Sequence, residues 1–551
     1  MKKQQINRRI RIISLFICLC ALIGCDKVTD SDMELMNHVP KEVETYQEIG
    51  LREFDQEVDL YFVRGVGSHL KDLIEQYPDE SVTDNRWSRL YHDVLGINVK
   101  YKWLVEDSVY DKKFASDLMS GDLPDVMRVN IQQFRMLYNA GLIQDLTEVY
   151  QTYATSFTKS VFEEEGSNPF EAVTINNQLM GIPDLESSTE KAEYLWIRTD
   201  WLETLGLSPP ENMAEVVEIS KRFTNDDPNQ NGKNDTYGLA FSKFLWDPIM
   251  GLEGFMAGYN AFPNMWIKDE NGELVYGGIQ PEVKEALQVL QDMYQKGYID
   301  PEFIFKDGRQ LEEQISNGEI GMLYGEQWAS FAFSDDPNAN WKAFPIVSND
   351  QSPARVPINN RTHYFWVVRH DYEYPEAILK MINLHLEKNW GDTAEYEEYY
   401  STPYPVWQLS PITIFPPLKN YHAFLDIEKF GYGNETSELT GEAKAIYDKI
   451  NRYLLENEES GRGWYLTYGK EGAFSILDQY IQNEQIMYDE FVSVSSDKAI
   501  ELMPMLYNLQ LGVFQDIILG HSLSRFDEFI EDWYRLGGDK LTEEVNQQAR
   551  E

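Results

Sequence analysis

Five oxygen donors fall within nine residues at the spacing of a cation-binding loop. Counted from the first aspartate, side-chain oxygens stand at positions 1, 3, 5 and 9, and a main-chain carbonyl stands at position 7. A glycine at position 6 permits the tight turn. EF-hand loops surround calcium, a hard cation, with oxygens at this spacing. The segment predicts a structural calcium site formed by Asp227, Asn229, Asn231, Lys233 (through its carbonyl) and Asp235.

This loop lacks one ligand of a complete EF-hand. Position 12 is Gly238, where an EF-hand loop carries a glutamate that binds through both oxygens. Water, or an acid elsewhere in the chain, would have to supply the remaining coordination. The alternative is a surface turn without a metal, because Asp, Asn, Pro and Gly favour turns by themselves.

Aromatic residues, 13% of the chain, offer a second kind of chemistry. Flat rings stack on the apolar faces of sugars, while nearby polar side chains bind the hydroxyl groups. Such contacts are favoured by rings in loops, beside proline or glycine or after a predicted strand, and by polar residues at the start of a strand. The substrate-binding candidates are Trp246, Trp328, Arg361, Tyr364, Trp407 and Trp464. For each tryptophan, packing in the core or a surface position is the alternative.

The sequence contains none of the common catalytic motifs. It has no Gly-x-Ser-x-Gly elbow, no His-Glu-x-x-His pair and no phosphate-binding loop. Glycoside hydrolysis needs two carboxylates, but with 92 acidic residues such pairs occur everywhere and carry no information. We therefore assign no catalytic residue and expect a protein that is not an enzyme. A secreted glycan-degrading hydrolase is the alternative.

The first 25 residues have the features of an export signal. Five basic residues precede an apolar run over 12–24, which is too short to span a bilayer because a span takes about 20 residues. The run ends in Leu-Ile-Gly directly before Cys25. This ending resembles the lipobox of bacterial lipoproteins, in which the cysteine is diacylated and the preceding peptide is removed. We predict a lipid anchor (palmitate or a similar acyl chain) at Cys25; an ordinary secretory leader is the alternative.

Cysteine usage and charge fit a protein outside the cytoplasm. The three cysteines stand at 18, 20 and 25, so removal of the leader leaves one, which lipid would block. The mature chain would therefore contain no disulfide. The formal net charge of −44 disfavours nucleic acid and anionic lipid surfaces. The high aromatic content favours a packed globule over a disordered acidic chain.

Predicted strands alternate with helices in the first part of the chain. Strand patterns at 58–63, 97–103 and 125–129 are separated by helical patterns, which is typical of α/β units with a parallel sheet. Beyond residue 181 helices dominate. We predict two α/β lobes, the second enlarged by helices. The predicted division is a leader at 1–24, a tether at 25–57, lobe 1 at 58–180, lobe 2 at 181–350 with the cation loop at 227–238, a return to lobe 1 at 351–400, and completion of lobe 2 at 401–551.

Several segments carry a family resemblance, in the same order along the chain. They are Ser120–Val126, Gly141–Thr147, Ile197–Leu207 followed by the cation loop and Tyr237–Leu239, Gly277–Gly278 through Gly297–Phe303, and Leu536–Asn546. Together they resemble the family 1 extracellular solute-binding proteins, the lipid-anchored receptors of ABC sugar importers. The matches spread over about residues 58–546.

This resemblance implies a periplasmic-binding-protein-like fold with a hinge between the two lobes. It implies capture of a carbohydrate, with an oligosaccharide suggested by the long second lobe, and delivery to the transmembrane subunits of an ABC permease. The protein would be a monomer that touches the membrane only through its lipid anchor, on the extracytoplasmic face, and would bind no nucleic acid. Receptors for peptide, amino-acid or metal-chelate cargo remain alternatives within this fold, as does a surface lipoprotein that senses or scaffolds without transport.

The resemblance also bears on the cation loop. Calcium-containing members carry the ion in a similar Asp/Asn loop, so the match extends to the five donors named above. Thr236 is a departure, because an acid often follows the last aspartate of that loop. Fewer protein ligands are therefore expected here.

Overall fold

The computed structural model describes residues 48–166, 168–333, 339–350, 352–359, 362–401, 404–433, 439–491 and 497–550. These residues belong to one compact unit of the chain. The predicted leader, Cys25, most of the predicted tether and Arg361 lie outside the described residues.

Strands and helices alternate in the first part of the chain, as the sequence predicts. In β1, Val58, Leu60 and Phe62 are buried and the side chains between them are exposed, which is the period of two of a half-covered strand. Helix α2 begins at the cap Asn85 and ends at Gly96, whose φ of 70° suits glycine. The elements are β1 (Val58–Val66), α1 (Ser68–Gln76), α2 (Arg86–Leu95), β2 (Ile97–Glu106), α3 (Asp107–Ser120), β3 (Val126–Asn130), α4 (Ile131–Asn139), α5 (Thr147–Tyr153), α6 (Ser156–Glu163), β4 (Thr174–Ile175), β5 (Gln178–Leu179) and β6 (Ile182–Pro183).

The middle of the chain builds a second group of strands and helices. Its central strands β7 and β11 are buried along their whole length. The elements are β7 (Tyr194–Arg198), α7 (Thr199–Leu205), α8 (Met213–Asn225), β8 (Tyr237–Leu239), α9 (Glu253–Ala257), β9 (Trp266–Lys268), β10 (Leu274–Tyr276), α10 (Pro281–Gln295), α11 (Gly308–Ser316), β11 (Ile320–Gly325), β12 (Trp341–Phe344) and β13 (Val356–Ile358).

The last third of the chain is mainly helical. One strand and two helices come first: β14 (Tyr364–Val368), α12 (Glu376–Trp390) and α13 (Tyr396–Tyr399). The remaining elements are α14 (Lys419–Phe430), α15 (Gly441–Glu456), α16 (Arg462–Tyr468), α17 (Ala473–Gln482), β15 (Ile486–Tyr488), α18 (Asp497–Ile518), α19 (Ser524–Trp533) and α20 (Asp539–Arg550).

The strands form two principal sheets. The first consists of a parallel pair, β1-β2, and a three-stranded sheet in the order β3-β14-β6. The two parts lie side by side, since the N–H of Asp125, just before β3, donates to the carbonyl of Tyr61 in β1 over 3.0 Å, and we call them together the first sheet. In the second, the order is β12-β7-β11-β8. The predicted parallel arrangement holds for β1 with β2 and for β8 with β11. β14 is antiparallel to β3, and β7 is antiparallel to β11 and β12, because the chain enters these sheets from opposite directions.

Two separate hydrophobic cores confirm the predicted two-lobed α/β fold. We call the part around the first core lobe 1; it draws on residues 51–185 and 365–414. Lobe 2 surrounds the second core, drawn from residues 192–358 and 423–545. The chain therefore crosses between the lobes three times. Helices α14 to α20 follow the third crossing, and this is the predicted helical enlargement of the second lobe.

In the part of the chain that the structure describes, no helix combines the length and the apolar character that a membrane crossing requires.

Candidate functional site

A cavity of about 680 Å³, the lobe 1 pocket, lies at one edge of the first sheet. The carboxyl ends of the parallel strands β1 and β2 meet at this edge. β14 begins here because it runs antiparallel to β3. Ligands of open α/β sheets bind outside the carboxyl ends of the strands. The wall of the lobe 1 pocket includes Arg64, Tyr101, Tyr110, Arg128, Tyr364 and Trp366.

Arg128 and Tyr364 form a stacked pair in the lobe 1 pocket. The guanidinium carbon of Arg128 lies 3.8 Å from the centre of the Tyr364 ring. The Arg128 Nε donates to the carboxylate of Asp184 over 2.5 Å, and the Trp366 indole donates to its other oxygen over 3.3 Å. Asp184 is buried, which raises its pKa, although Arg128 opposes that rise. The stack is thus fixed in place by a carboxylate behind it.

Lobe 2 contributes an exposed indole at the end of its own central strand. Trp328 follows β11 on a short 3₁₀ turn, Gln327–Phe333, and its side chain is 41% exposed. Its Nε1 donates to the Glu326 carboxylate over 2.9 Å. The main chain of Glu326 is tied to Pro248 by an N–H to carbonyl bond of 2.9 Å. The position of the ring is therefore set by the strand end, and its face is available for stacking.

A second cavity, the lobe 2 pocket, has a volume of about 330 Å³. Tyr276 and Trp533 stack there with ring centres 5.4 Å apart. Glu253 adds a carboxylate, which accepts a hydrogen bond of 2.9 Å from Asn264. The lining therefore combines several rings with a few polar groups, as sugar sites do. It includes Trp246, Glu253, Asn264, Trp266, Tyr276, His363, Tyr507 and Trp533.

The two pockets adjoin the segments that cross between the lobes. His363 lines the lobe 2 pocket, and the next residue, Tyr364, lines the lobe 1 pocket. Glu186 lies in the first crossing. Burial raises the pKa of its carboxyl, but the nearby positive charges of Lys191, His363 and Arg128 lower it, and the net pKa is below its usual value. We call this region, formed by the two pockets, Trp328 and the crossing residues between them, the cleft.

Carboxylates on the lobe 2 side of the cleft have raised pKa values. Burial raises the pKa of Glu326 to about 7. The negative charges of Glu253 and Glu186 add to this rise, and the hydrogen bond from the Trp328 N–H opposes it. Burial and the neighbouring Glu253 raise the pKa of Glu193 as well. The Glu193 carboxylate accepts the N–H of Gly254 over 2.7 Å. A carboxyl with a raised pKa holds its proton at higher pH than a free one, and while protonated it can donate as well as accept a hydrogen bond.

Two of the six predicted ligand residues line a pocket, and a third, Trp328, is connected to the lobe 2 pocket through its hydrogen bond to Glu326, whose pKa responds to Glu253. Tyr364 lines the lobe 1 pocket, Trp246 lines the lobe 2 pocket, and Trp328 lies at the end of β11. Trp407 packs elsewhere in lobe 1, with its ring centre 5.1 Å from that of Phe415.

Trp464 and Arg361 are not placed at the cleft. Trp464 lies on α16, where Lys449 is 3.8 Å above its ring and Phe331 packs 5.1 Å away. Arg361 lies outside the described residues. Trp407, Trp464 and Arg361 remain predictions from the sequence.

Arg64, Arg128 and Asp184 are cleft residues that the sequence reasoning missed. Each stands at or just beyond the last residues of a strand at the same edge of the sheet. The rule that places binding groups at carboxyl strand ends, which selected Trp328, would also have selected Arg128 in the predicted strand 125–129. Arg64 follows a strand pattern predicted to end at Val63, so the same rule extended by one residue would have found it.

A larger groove of about 1320 Å³ lies elsewhere, against α12, α14 and α15. Several of its charged groups are engaged in structural contacts: Lys419 pairs with Glu442 at 2.6 Å, and Glu164 accepts the N–H of Leu418 over 3.0 Å. It is built from helix ends rather than from strand ends. For these reasons we place the candidate ligand site at the cleft.

The predicted cation loop folds into a tight turn that gathers its oxygen side chains. The Asp227 carboxylate accepts the N–H groups of Asn231 and Gly232 at 3.1 and 3.0 Å. The side-chain amide of Asn231 donates to both oxygens of Asp235 at 3.0 and 3.1 Å. Gly232 has a φ of 76°, which explains the need for glycine at position 6.

The donors of this loop suit a hard cation but are few. Carboxylate, amide and carbonyl oxygens are the ligands that calcium prefers. Thr236 is buried and its hydroxyl donates to the carbonyl of Phe223 over 2.7 Å, so it adds nothing to the set. Among the described residues, no group of three or more His, Cys, Asp or Glu side chains could hold a metal ion. The loop itself has two carboxylates, Asp227 and Asp235, and depends on amides and a carbonyl for the rest.

Comparison with known sequences gives a consistent result. The sequence profile of the family described as bacterial extracellular solute-binding protein matches residues 77–388. Lipoprotein LipO of Bacillus subtilis (strain 168) is 26% identical over 468 residues, 82% of this chain and 86% of that protein. The polygalacturonan/rhamnogalacturonan-binding protein YtcQ of the same organism is 25% identical over 252 residues, 45% of this chain. The match to YtcQ spans about half of that protein, 48% of its length.

Solved structures share the fold at low sequence identity. The substrate-binding protein FusA of S. pneumoniae in complex with kestose superposes with a TM-score of 0.60 at 14% identity, over 90% of this chain and 99% of that one. The alginate-binding protein AlgQ2, solved without calcium ion, gives 0.59 at 14% identity, over 92% and 100%. A FusA EF-hand mutant with fructo-nystose gives 0.60 at 15% identity, over 90% and 99%.

Proposed function

We propose, from the premise that this chain belongs to the bacterial extracellular solute-binding proteins, that it captures an oligosaccharide and delivers it to the permease of an ABC importer. The observation that carries the proposal is the exposed indole of Trp328 at the strand end of lobe 2, with the Arg128–Tyr364 stack at the strand ends of lobe 1. Such rings with polar neighbours are suited to sugars. The names of YtcQ and FusA, which are a polygalacturonan/rhamnogalacturonan-binding and a fructooligosaccharide-binding protein, support carbohydrate as the cargo.

Capture would proceed by closure of the two lobes over the cleft. Three crossing segments connect the lobes, so small changes in their backbone angles would rotate one lobe against the other. A ligand that contacts both walls stabilises the closed state by its differential affinity for it. The closed, loaded protein would then be the form that engages the permease. No step of this cycle needs a chemical reaction.

The two cores also support a proposed division of the chain. We place the first crossing after residue 185, the second between 358 and 364, and the third after 414. The sequence-based bounds were 181, 351 and 401. The proposed positions lie later because β6, at 182–183, pairs with β14 in the sheet of lobe 1, and because residues 406–414 pack into its core.

The experiment that tests the function is a thermal-shift screen of the purified protein against oligosaccharides of several classes. A ligand at a hundred times its Kd raises the free energy of unfolding by about 2.7 kcal/mol. We expect a selective shift for one class, with the glycan recovered intact. Recovery of cleaved glycan would mean that the protein is a hydrolase and not a receptor. A thermal shift with peptides or metal chelates alone would mean that the cargo is not a carbohydrate.

We further propose that the loop from Asp227 to Asp235 binds calcium as a structural ion. The proposal is supported by the names of two structures that share the fold, a FusA EF-hand mutant and AlgQ2 without calcium ion. Calcium at ten times its Kd should raise the free energy of unfolding by about 1.4 kcal/mol, and a chelator should remove this gain. The measurement is thermal denaturation with calcium and with chelator.

A pair of asparagines in the same loop provides the control. Asn231→Ala removes a proposed donor and should abolish the calcium-dependent gain, whereas Asn234→Ala changes an exposed residue outside the donor set and should keep it. An equal calcium-dependent gain in both variants would contradict the assignment of Asn231 as a ligand. If calcium does not stabilise the unaltered protein, the loop is an Asx-rich turn that binds no metal.

Cys25 is proposed as the site of lipid attachment on the extracytoplasmic face of the membrane. The lipoprotein LipO supports this assignment by its name and by its coverage of most of the chain. Cells that express the protein should incorporate labelled palmitate into it, and Cys25→Ser should lose the label completely. Labelling that persists in the variant would place the acyl chain elsewhere.

A further inference from the structure

The first crossing starts beside the lobe 1 pocket and is short. Asp184, whose carboxylate holds Arg128 in its stack with Tyr364, also donates its main-chain N–H to the carbonyl of Tyr364 over 2.9 Å. The chain enters lobe 2 as β7 at Tyr194. Residues 185–193 therefore join a wall of the cleft to the central sheet of lobe 2, and their position sets how the two walls face each other.

Two consecutive carboxylates of lobe 1, Glu164 and Glu165, hold two of the crossings. They follow the end of α6. The Glu165 carboxylate accepts the N–H of Thr189 over 2.8 Å, the N–H of Ser188 over 3.1 Å and the hydroxyl of Ser188. The Glu164 carboxylate accepts the N–H of Leu418, in the third crossing, over 3.0 Å. A carboxyl group can accept a hydrogen bond whether or not it is protonated, so these contacts do not require ionised side chains.

A third carboxylate joins the first crossing to the third. Glu190 accepts the N–H of Tyr421 over 2.8 Å and the side-chain amide of Asn420 over 2.7 Å. We call the carboxylates of Glu164, Glu165 and Glu190 the hinge clasp. It fixes the first and third crossings side by side against lobe 1.

Lobe 2 is bonded to the same parts of the two crossings. The hydroxyl of Thr189 lies 2.9 Å from that of Tyr488 on β15, and the hydroxyl of Tyr468 donates to the side-chain oxygen of Asn420 over 3.1 Å. Both crossings are therefore bonded to both lobes at the hinge clasp. A motion that keeps these bonds cannot separate the lobes here and has to rotate one lobe about this point, which is hinge closure.

We propose that Glu165 is a positioning residue of the hinge: by holding Ser188 and Thr189 against lobe 1, it confines the movement of the lobes to rotation about the hinge clasp. This inference rests on the proposed function, because closure of the lobes is part of it. Loss of the contact would leave the lobes joined but would let the first crossing adopt more positions. The unliganded protein would then sample more arrangements of the lobes, and ligand binding would have to order them at a cost in affinity.

The test measures the distance between the lobes by double electron–electron resonance. Spin labels are attached at Glu75→Cys on α1 of lobe 1 and at Glu312→Cys on α11 of lobe 2, both of which are exposed positions. Serine replaces the native cysteines at 18, 20 and 25 in the labelled protein. Without added sugar, we expect the distance distribution of Glu165→Ala to be about half as wide again as that of the labelled parent.

Two further variants separate the contact from a general effect of charge. Glu165→Gln keeps the size of the side chain and one acceptor oxygen, so it should broaden the distribution less, and it carries the test if the alanine variant does not fold. Glu163→Gln makes the same charge change two residues earlier, at an exposed carboxylate that makes no hydrogen bond or ion pair with the described residues. This control should leave the width unchanged.

Calorimetric titration with kestose and with the galacturonate trimer measures the effect on binding. For a sugar that binds the parent, Kd should rise about threefold to tenfold in Glu165→Ala and should stay within about twofold of the parent value in Glu163→Gln.

The outcomes identify which proposal fails. An unchanged width in both Glu165 variants would overturn the inference, and so would equal broadening in Glu163→Gln. Absence of binding by both sugars would count against the proposed function, whereas the widths measured without sugar decide the role of Glu165.

Discussion

Replacement of Trp328 by alanine should nearly abolish ligand binding while the protein stays folded. The ring is exposed at the end of β11 and is anchored by one hydrogen bond to Glu326, so few core contacts are lost. Aromatic anchors at the centre of a binding site commonly contribute 2 kcal/mol or more. We expect a loss of about 2–3 kcal/mol, a rise in Kd of roughly 30- to 150-fold. Calorimetric titration with the ligand from the thermal-shift screen measures this change.

Two further variants show whether stacking is the cause. Trp328→Phe keeps a flat ring and loses the N–H to Glu326, so it should retain most of the affinity, with a rise in Kd of less than about tenfold. Leu455→Ala removes an exposed apolar side chain near the end of α15, a helix that contributes no residue to either pocket, and should leave Kd unchanged. If Trp328→Ala binds as tightly as the unaltered protein, the ligand contacts a different part of the molecule.

The stability of the protein should fall as the pH rises from 5.5 to 8.5, and Glu190 should account for about 2 kcal/mol of the fall. This buried residue belongs to the first crossing, and its carboxylate accepts the N–H of Tyr421 over 2.8 Å and the amide of Asn420 over 2.7 Å. Burial raises its pKa from 4.5 to about 7, while Lys419 opposes the rise. The folded state thus holds a proton that the unfolded chain releases.

The direction of this pH dependence follows from that difference in protonation. Stability from a carboxyl with a raised pKa is fully present below pH 4.5 and is lost as the pH passes through 7. A shift of this size corresponds to about 3 kcal/mol in total, of which about 2 kcal/mol falls in the measured range. Glu326 and Glu193, whose pKa values desolvation also raises, should act in the same direction.

Chemical denaturation of two variants at several pH values isolates the part due to Glu190. Glu190→Gln cannot ionise, so its free energy of unfolding should fall less steeply than that of the unaltered protein, and the two curves should diverge by about 2 kcal/mol by pH 8.5. Glu458→Gln, at an exposed position, should follow the unaltered protein. Parallel curves for Glu190→Gln would mean that the Glu190 carboxyl is ionised throughout the range.

Local patterns in the sequence were sufficient for the tight turn at 227–235 and for the class of fold. The Asx turns of the loop involve residues at most five apart, so their spacing alone brings Asp227, Asn231 and Asp235 together. Strand and helix patterns are likewise local, because periods of two and of 3.6 residues are read within a short window. The family resemblance added the two-lobed arrangement, which the two cores confirm.

The cleft was only partly predictable, because its residues are far apart in the sequence. Arg128 and Tyr364 stack across 236 positions through the pairing of β3 with β14. Trp407 and Trp328 look alike in the sequence, since both stand in loops after apolar segments. Trp407 packs against Phe415, whereas Trp328 lies exposed at a strand end. This difference arises from the packing of segments that are distant in the sequence.

The sequence by itself determined the elements, the cation loop and the acidic character of the chain, because these depend on residue type and short spacing. Only the tertiary structure decided which charges are engaged and which side chains share a surface. Glu326 shows the reason: its raised pKa depends on burial and on Glu253 and Glu186, residues 73 and 140 positions away. Chain crossings and strand pairing bring these groups together, and no local pattern in the sequence records that contact.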